Sequence, residues 1–413
     1  MNLLPRLLAI SILASLSVPG AYAGDWPRWR GPNLDGISTE TGWSTEWPDD
    51  GPRQLWKAKV GTGMSSVTVA NGRAYTMGNR DGQESVYGFD AESGKELWKH
   101  TYEHPLDPKY YVGGPSATPT VDGDTVFALS RRGDLFALDT ASGAVRWQKN
   151  LAEEIGAKLL EWGFASSPLV DGDRLILNVG TAGTAVDKKT GKVVWSTGPD
   201  MAGYATAVPM QHGGGKLFLI FSAKQLAAVN AADGKIAWSH PWETSYDVNA
   251  ADPIVVGPGR VFISSGYGRG GALIEVKGGR PSVVWENKNM RNQMNAGVLV
   301  DGHLYGIDGN ERGKDTTLRC LEAATGAVKW SFKDPAHGAV SAAGGHLIVL
   351  GEKGELMVGK ISPAEFKPVA RAQVLGGQCW TVPVLANGRL YLRNSAGDLV
   401  CVGLRPPQTA GVN

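Results

Sequence analysis

An eleven-residue pattern that recurs five times constrains this chain more than any other feature of its 413 residues. Each copy has a small residue first, an acidic residue or Asn third, Gly seventh and Trp eleventh. The copies span residues 88–98, 137–147, 185–195, 228–238 and 320–330. Trp285 ends a degenerate copy, and the six tryptophans follow one another at intervals of 43 to 49 residues. This interval is the length of one four-stranded blade of a β-propeller.

Residues 116–150 show how one unit is built. Two apolar runs flank Asp122-Gly123, a pair that tolerates the positive φ of a tight hairpin turn, and two more runs follow. We therefore expect four antiparallel strands per unit, with small residues at the start of the innermost strand, where bulk would collide near the axis. Eight such starts lie near Ser66, Ser116, Ser166, Ala205, Ala250, Ala296, Ala339 and Val382.

The last unit, residues 381–404, contains only three strands. Residues 53–60, which include Trp56, are expected to supply the fourth strand, closing the ring and removing an exposed sheet edge. The sequence thus predicts an all-β, eight-bladed propeller with four-stranded blades over residues 53–404. Seven blades is the alternative, because the unit at 338–375 lacks the pattern.

The residues of the pattern have structural roles rather than chemical ones. Its Gly suits a turn conformation that other residues resist, and its acid can accept backbone N–H bonds in that turn. Its Trp lies on an outer strand, where it can wedge against the neighbouring blade and bury a large apolar area. We therefore expect the pattern to build the ring, and any function to lie in the loops.

The N-terminal residues indicate an exported protein. Residues 1–23 combine Arg6, an apolar run and a small-residue site at 21–23, which is typical of a signal peptide cleaved near Ala23. We expect a periplasmic or secreted monomer without a transmembrane span, with residues 24–52 as an arm across one face and 405–413 as a tail. The formal net charge of +1 gives no reason to expect nucleic acid as a partner.

The polar and aromatic loops that enter each innermost strand are the candidate site. In a propeller these loops open on one face around the central channel, together with basic loops between the second and third strands. Cations, amides and rings that converge there would bind a small polar or anionic ligand, or an envelope protein; alternatively, the loops fill the channel mouth. The candidates are Trp162, Tyr204, Trp242, Glu243, Asp247, Asn249, Arg269, Asn287, Lys288, Arg291, Asn292, Asn295, His337, Trp380 and Arg393.

The pattern A-x-D-x-x-x-G-x-x-x-W resembles that of the exported PQQ-repeat β-propellers over residues 53–404. The resemblance implies kinship with quinoprotein alcohol dehydrogenases, which bind pyrroloquinoline quinone (PQQ) and calcium, and with the cofactor-free propeller lipoprotein of the outer-membrane β-barrel assembly machinery. This chain differs from the dehydrogenases in having no adjacent cysteines and a shorter length. It differs from the lipoprotein in having no Cys after the signal.

Two hypotheses follow from the sequence. The first is a scaffold that binds a ligand or protein through its loop face and central funnel. The second is a PQQ- and calcium-dependent dehydrogenase that oxidises an alcohol or sugar. In that case Trp380 or Trp162 would stack on the quinone, and Glu243 or Asp247 would serve as calcium ligand or base. The sequence does not identify catalytic residues, and apart from this conditional calcium it predicts no metal site.

Overall fold

The computed structural model describes residues 24–309 and 315–405. Eight four-stranded antiparallel sheets form the blades of a propeller, which confirms the predicted fold and excludes the seven-bladed alternative. The expected signal peptide at 1–23 and residues 406–413 of the expected tail lie outside the described residues. A single turn of α-helix, Leu151–Ile155, interrupts the described β-structure between blades 2 and 3.

The strands of blades 1 to 7 follow one another along the chain from the channel outward. Blade 1 contains Thr68–Ala70, Arg73–Arg80, Gln83–Asp90 and Glu96–Glu103. Blade 2 contains Thr120–Asp122, Thr125–Leu129, Asp134–Asp139 and Val145–Asn150. Blade 3 contains Leu169–Asp171, Arg174–Leu177, Thr184–Asp187 and Val193–Ser196. Blade 4 contains Val208–His212, Gly215–Phe221, Gln225–Asn230 and Ile236–Pro241. Blade 5 contains Ile254–Gly257, Arg260–Ser265, Gly270–Lys277 and Arg280–Asn287. Blade 6 contains Val298–Val300, His303–Asp308, Thr317–Glu322 and Val328–Phe332. Blade 7 contains Ala339–Ala343, His346–Leu350, Glu355–Lys360 and Pro368–Gln373.

Blade 8 combines both ends of the propeller. Its inner strands are Val384–Ala386, Arg389–Arg393 and Asp398–Gly403, and the outermost strand is Gln54–Lys59. This strand runs antiparallel to Asp398–Gly403, with Trp56 opposite Cys401. The N-terminal strand therefore closes the ring, as the sequence predicts, and covers an edge that would otherwise be open to pairing with another chain.

At five of the eight junctions a tryptophan docks one blade on the glycine of the next. The Trp98 indole N–H of blade 1 donates to the carbonyl of Thr140 in blade 2 at 2.9 Å. A Cβ atom at Gly143 would lie only 2.5 Å from the Trp98 ring, so this ring packs directly on the glycine backbone. The same contact joins Trp56 to Gly94, Trp147 to Gly191, Trp195 to Gly234 and Trp285 to Gly326. The Gly of one copy is thus the docking surface for the Trp of the preceding blade.

The same glycine also makes the turn of its own blade. Gly143 has φ +72°, a left-handed conformation that costs a residue with a Cβ atom free energy. The Asp139 carboxylate accepts the backbone N–H groups of Ala141 and Ser142 at 3.0 and 2.9 Å. Both turn roles expected from the sequence are present, and the contact with the preceding Trp adds a third constraint.

Blade 7, which lacks the pattern, is completed by the N-terminal arm. Its outer strand has Ala370 opposite Val358, at the register where other blades carry Trp. Trp43 and Trp47 of the arm, like Ala370, are half-buried and pack against the apolar cluster between blades 7 and 8. Aromatic side chains from outside the repeat therefore contribute to the core at a junction that lacks the repeated Trp.

Hydroxyl side chains link the innermost strands around the channel. The Ser66 N–H donates to Thr118 Oγ1, the Thr118 N–H to Ser167 Oγ and the Ser167 N–H to Thr206 Oγ1, each at 3.0 Å. The Thr206 N–H then donates to Asp252 Oδ1 at 2.7 Å. The small residues expected at these strand starts thus avoid collision and also satisfy the backbone of the preceding blade.

The arm crosses the face of the ring at which the first and second strands of each blade are joined. Ile37–Ser38 pairs in parallel with the innermost strand of blade 7. The Glu40 carboxylate accepts the backbone N–H groups of Asn387 and Gly388 at 2.9 and 2.8 Å. This face is therefore covered, and the channel is left accessible from the face with the polar loops.

We predict that Gly143→Ala lowers the free energy of unfolding by about 3 kcal/mol, because the new methyl group overlaps the Trp98 ring in addition to straining the backbone. Gly123→Ala is the matched control, since Gly123 has φ +58° and no neighbouring atom within 4 Å of the added Cβ. It should lower stability by only about 1 kcal/mol. Urea denaturation measures both values. Equal losses would contradict the docking role of Gly143.

Candidate binding funnel

A cavity of about 190 Å³ lies in the channel where the loops between successive blades converge, and we call it the funnel. Its wall comes from these loops and from the first residues of the innermost strands. Seven aromatic side chains line it: Trp29, Tyr110, Tyr111, Trp162, Tyr204, Tyr267 and Trp380. Trp29 belongs to the arm, which approaches from the covered face, and so it forms the floor.

Each funnel tryptophan is held in place by its indole N–H. Trp29 donates to Asp252 Oδ2 at 2.6 Å, Trp162 to the Lys109 carbonyl at 3.1 Å and Trp380 to Glu352 Oε1 at 3.1 Å. Since these donors are already engaged by the protein, the rings present faces and edges to the cavity. Such fixed rings need little reordering when a ligand binds.

Two loops on one side of the funnel are joined by a buried arginine. The Arg131 guanidinium is 2% exposed and donates to the carbonyls of Leu106 at 2.9 Å and Trp162 at 3.2 Å. It therefore ties residues 104–115, which we call the rim loop, to the loop that carries Trp162. Tyr110 at the tip of the rim loop is 83% exposed, which makes it the most exposed large apolar side chain described.

Apart from the tyrosines, Lys109 and Asp252 are the two ionisable residues on the described wall of the funnel. Lys109 faces the Glu161 carboxylate at 3.6 Å. Asp252 is buried; it accepts hydrogen bonds from Trp29 and the Thr206 N–H, and its carboxylate lies 3.9 Å from Arg30. Burial raises the pKa of Asp252, and the nearby Arg30 charge opposes this increase.

Four residues predicted from the sequence line the funnel: Trp162, Tyr204, Asn295 and Trp380. The rings of Trp162 and Tyr204 are 6.1 Å apart, and Asn295 donates to the Trp380 carbonyl at 2.7 Å. His337 packs edge-on against Trp380 at 5.1 Å, behind the wall. The geometry brings these residues together, and their contact with a ligand stays a prediction.

Several predicted polar residues support the loops instead of facing the cavity. Asn249 donates to the carbonyls of Ser222, Ala223 and Trp242 and accepts from the Ser265 hydroxyl. The Trp242 indole N–H also donates to this hydroxyl, and its ring lies 3.5 Å below the Arg269 guanidinium.

The other predicted cations and amides are engaged elsewhere. Arg291 forms a bidentate ion pair with Asp308 at 2.7 and 2.9 Å. Arg393 is 1% exposed and donates to several backbone carbonyls of blade 1, and burial lowers its pKa to about 9. The remaining predicted residues also lie off the funnel wall: Asn292, Asn287, Lys288, Glu243 and Asp247.

Sequence reasoning missed about half of the aromatic wall. Tyr110 and Tyr111 form an adjacent pair in a long loop, and that pair was a usable signal. Tyr267 lies in the glycine-rich loop of blade 5 and Trp29 in the arm. Nothing in the local sequence indicates that the arm reaches the channel, because this depends on how the closed ring positions residues 24–52.

The donor groups near the funnel do not fit PQQ with calcium. The carboxylates of the quinone would need cations, but Arg131, Arg291 and Arg393 are engaged by carbonyls or a carboxylate. Asp252 is already held by Trp29, Thr206 and Arg30. Throughout residues 24–309 and 315–405, no three or more His, Cys, Asp or Glu residues are grouped so that they could hold a metal ion. The three cysteines are free and buried, and burial raises the pKa of each thiol.

Comparison with known proteins identifies one family. The model of a family described as outer membrane protein assembly factor BamB matches residues 82–332, well over half of the chain. No curated protein matches significantly. Residues 24–309 and 315–405 contain no helix with the length and apolar character needed to span a bilayer.

Solved structures agree in fold at low sequence identity. BamB from Moraxella catarrhalis is 16% identical with a TM-score of 0.63, covering 85% of this chain and 99% of that one. The quinohemoprotein alcohol dehydrogenase ADHIIG from Pseudomonas putida HK5 is 12% identical with a TM-score of 0.62, covering 93% and 80%. The computationally designed Ika8 protein is 10% identical with a TM-score of 0.59, covering 86% and 100%. At these identities the likeness concerns the fold alone.

We predict that Asp252→Asn lowers the free energy of unfolding by about 3 kcal/mol, because the buried Arg30 loses the carboxylate that faces it. Trp29→Phe is the control: it removes one hydrogen bond to Asp252 but keeps a ring in the floor and the charge pair. It should cost about 1 kcal/mol. Chemical denaturation followed by circular dichroism measures the free energy of unfolding of both variants. If Asp252→Asn left this free energy unchanged, the charge pair with Arg30 would not stabilise the fold.

A second buried carboxylate lies at the base of the rim loop. Glu84 is fully buried; it accepts the Tyr102 hydroxyl at 2.8 Å and lies 3.4 Å from His104 Nδ1. Burial raises the pKa of Glu84 to about 7, a shift opposed by the Tyr102 hydrogen bond and the charges of Arg131 and Arg132, and supported by Asp134. Burial lowers the pKa of His104.

We predict that Glu84→Gln removes a pH dependence of stability. Since the pKa of Glu84 is higher in the folded protein than its ordinary 4.5, the folded state binds this proton more tightly than the unfolded chain does. Its stabilising contribution is therefore complete below about pH 4.5 and is lost as the pH rises through 7. The loss amounts to about 3 kcal/mol.

The measurement is the free energy of unfolding of both proteins from pH 4.5 to 8. The difference between the two curves reports Glu84 together with any change in the titration of His104, which lies 3.4 Å from it. The stability of the wild type should fall relative to that of the variant as the pH rises. Parallel curves would show that the carboxylate is ionised throughout.

Proposed function

Because this chain belongs to the family described as outer membrane protein assembly factor BamB, we propose that it is an exported, noncatalytic binding scaffold. The scaffold holds a ligand or a segment of a partner protein in the funnel on its loop face. The name of the family supports binding rather than chemistry. The signal-peptide pattern at residues 1–23 supports export to the periplasm or beyond.

The observation that carries the proposal is the aromatic wall of the funnel. The indole rings of Trp29, Trp162 and Trp380 are each fixed by a hydrogen bond, and they surround space that the loops leave open. A concave, rigid and largely aromatic site with a few polar groups is the usual form of a ligand-binding site. Loops that merely covered the channel would pack these rings against one another.

The funnel supports binding more than it supports oxidation of an alcohol. Its one buried carboxylate, Asp252, already accepts two hydrogen bonds and faces Arg30, so it is poorly placed to act as a base. The one cation on the described wall, Lys109, lies beside Glu161. We therefore favour the scaffold over the quinoprotein dehydrogenase, although both share the fold.

A variant with a filled funnel tests the proposal without knowledge of the ligand. Ala165 is a half-buried residue of the funnel wall, so Ala165→Trp should occupy the cavity and leave the blades intact. The thermal unfolding of both proteins is measured with a panel of saccharides, peptides and small metabolites, and also with PQQ plus calcium. A molecule that binds the folded protein raises its melting temperature.

We expect at least one panel member to raise the melting temperature of the wild type by several degrees and that of Ala165→Trp by none. Leu97→Ala, on an exposed outer strand, is the control and should respond like the wild type. Dye-linked oxidation of alcohols by the protein with PQQ and calcium would overturn the noncatalytic assignment. Equal shifts in the wild type and Ala165→Trp would place binding outside the funnel.

A further inference from the structure

We infer that the funnel receives the uncharged end of a saccharide chain. This inference rests on the proposed binding function and names the ligand class of the same site. Four features of the wall support it: the tryptophan rings, the hydroxyl groups, the balance of charge and the position of Trp29 at the floor. Each feature excludes a different alternative class of ligand.

The tryptophan rings of the wall exclude a ligand that is recognised mainly through hydrogen bonds from the indole N–H groups. The indole N–H groups of Trp29, Trp162 and Trp380 are engaged by the protein, so they do not serve as donors to a ligand. What remains for a ligand is the faces and edges of the rings, and an electron-rich ring face attracts groups with a partial positive charge. The C–H bonds of a sugar ring are polarised in this way by the neighbouring oxygens, and they form flat patches suited to stacking.

The hydroxyl groups of the wall exclude a purely apolar ligand. Ser167 and Thr206 line the funnel, and each hydroxyl oxygen accepts a backbone N–H from the preceding blade at 3.0 Å. A hydroxyl that accepts a hydrogen bond still has its own proton to donate. Ser116, Asn295 and the tyrosine hydroxyls add further polar atoms to this wall. A ligand rich in hydroxyl groups can both donate to and accept from such a surface.

The balance of charge excludes ligands with a formal charge. Lys109 is the one cation on the described wall and lies 3.6 Å from Glu161, so an anion gains little there. Asp252 accepts bonds from Trp29 and Thr206 beside Arg30, so its charge is already compensated. Burying a charged ligand without a partner would cost several kcal/mol.

The position of Trp29 at the floor separates a saccharide from a peptide. Proline-rich peptides also bind aromatic surfaces, but they lie along open grooves. Trp29 lines the funnel on the side that the arm covers, so we expect a chain to enter from the loop face by its end. A peptide end carries an ammonium or a carboxylate group, for which this wall has no uncompensated partner. The nonreducing end of a neutral saccharide carries no charge.

The dimensions of the site fit a chain end that continues outward. The funnel volume of about 190 Å³ is below the roughly 300–1,000 Å³ typical of sites that enclose a whole drug-sized ligand. Tyr267 on the wall packs edge-on against Tyr246 at 5.2 Å, and Tyr246 is 61% exposed. This pair extends the aromatic surface from the cavity to the rim. The following sugar units can therefore lie against Tyr246 or the exposed Tyr110.

The test is a titration of the mature protein with cellohexaose, xylohexaose, mannohexaose and hexa-N-acetylchitohexaose, followed by tryptophan fluorescence and calorimetry. Decaproline and hexagalacturonate are the peptide and anionic comparison probes. We expect at least one neutral hexasaccharide to bind with a dissociation constant in the micromolar to millimolar range, and more tightly than both comparison probes. Ala165→Trp, which fills the funnel, should abolish this binding.

Variants of one ring show whether stacking is responsible. Trp162→Ala should weaken binding about tenfold, as the loss of an aromatic stacking contact implies, whereas Trp162→Phe should retain most of the affinity. Leu97→Ala should bind like the wild type. Circular dichroism and melting temperatures establish that each variant is folded.

The outcomes separate the inference from the proposed function. Binding of decaproline or hexagalacturonate in preference to every neutral saccharide, abolished by Ala165→Trp, would overturn the saccharide inference and leave the binding scaffold intact. Saccharide binding that is unchanged in Ala165→Trp and Trp162→Ala would also overturn it. Failure of every probe here and of the whole thermal panel would overturn both.

Discussion

The contact between a tryptophan ring and the glycine of the next blade is the interaction that holds most of the ring together. A propeller has no central layer of its own, so neighbouring blades must be held at a fixed angle by side chains between them. Trp98 on Gly143 shows the solution: the ring lies directly on the backbone, and its N–H satisfies the Thr140 carbonyl. The contact recurs at five of the eight junctions and fixes the spacing of the blades there. The funnel is a consequence of that spacing, because eight blades leave a central channel that the loops narrow from one face and the arm closes from the other.

Blade 7 shows the limits of repetition. It has Ala370 at the tryptophan register, and Trp43 and Trp47 of the arm pack against the same apolar cluster. The same arm supplies Trp29 to the floor of the funnel and Arg30 to the compensation of Asp252. One segment therefore both completes the ring and shapes the site. Changes in the arm should affect stability and binding together, whereas changes in the outer strands should affect stability alone.

The ring could be predicted from the sequence because its determinants are local and repeated. The positions of Gly143 and Trp147 within one copy, and the small residues at Ser166 and Ala205, each report on one unit, and eight units give the fold. The funnel could be predicted only in part. Trp162, Tyr204 and Trp380 occupy equivalent loop positions and were found, but Trp29 and Asp252 meet across more than two hundred residues. Arg393 was misleading because a basic residue in a loop looks the same in sequence whether it faces solvent or donates to buried carbonyls.

The most direct test of the account is a crystal structure of the mature protein grown with a saturating concentration of the neutral hexasaccharide that binds best. Saccharide binding in the funnel predicts electron density for a sugar ring there, with one face on Trp162 or Trp380 and its end towards Trp29, and with the chain leaving past the rim tyrosines. It also predicts that the hydrogen bonds of the three tryptophans are unchanged. A saccharide bound only on the outer strands, or a funnel filled by collapsed loops while the saccharide is bound elsewhere, would contradict the central claim.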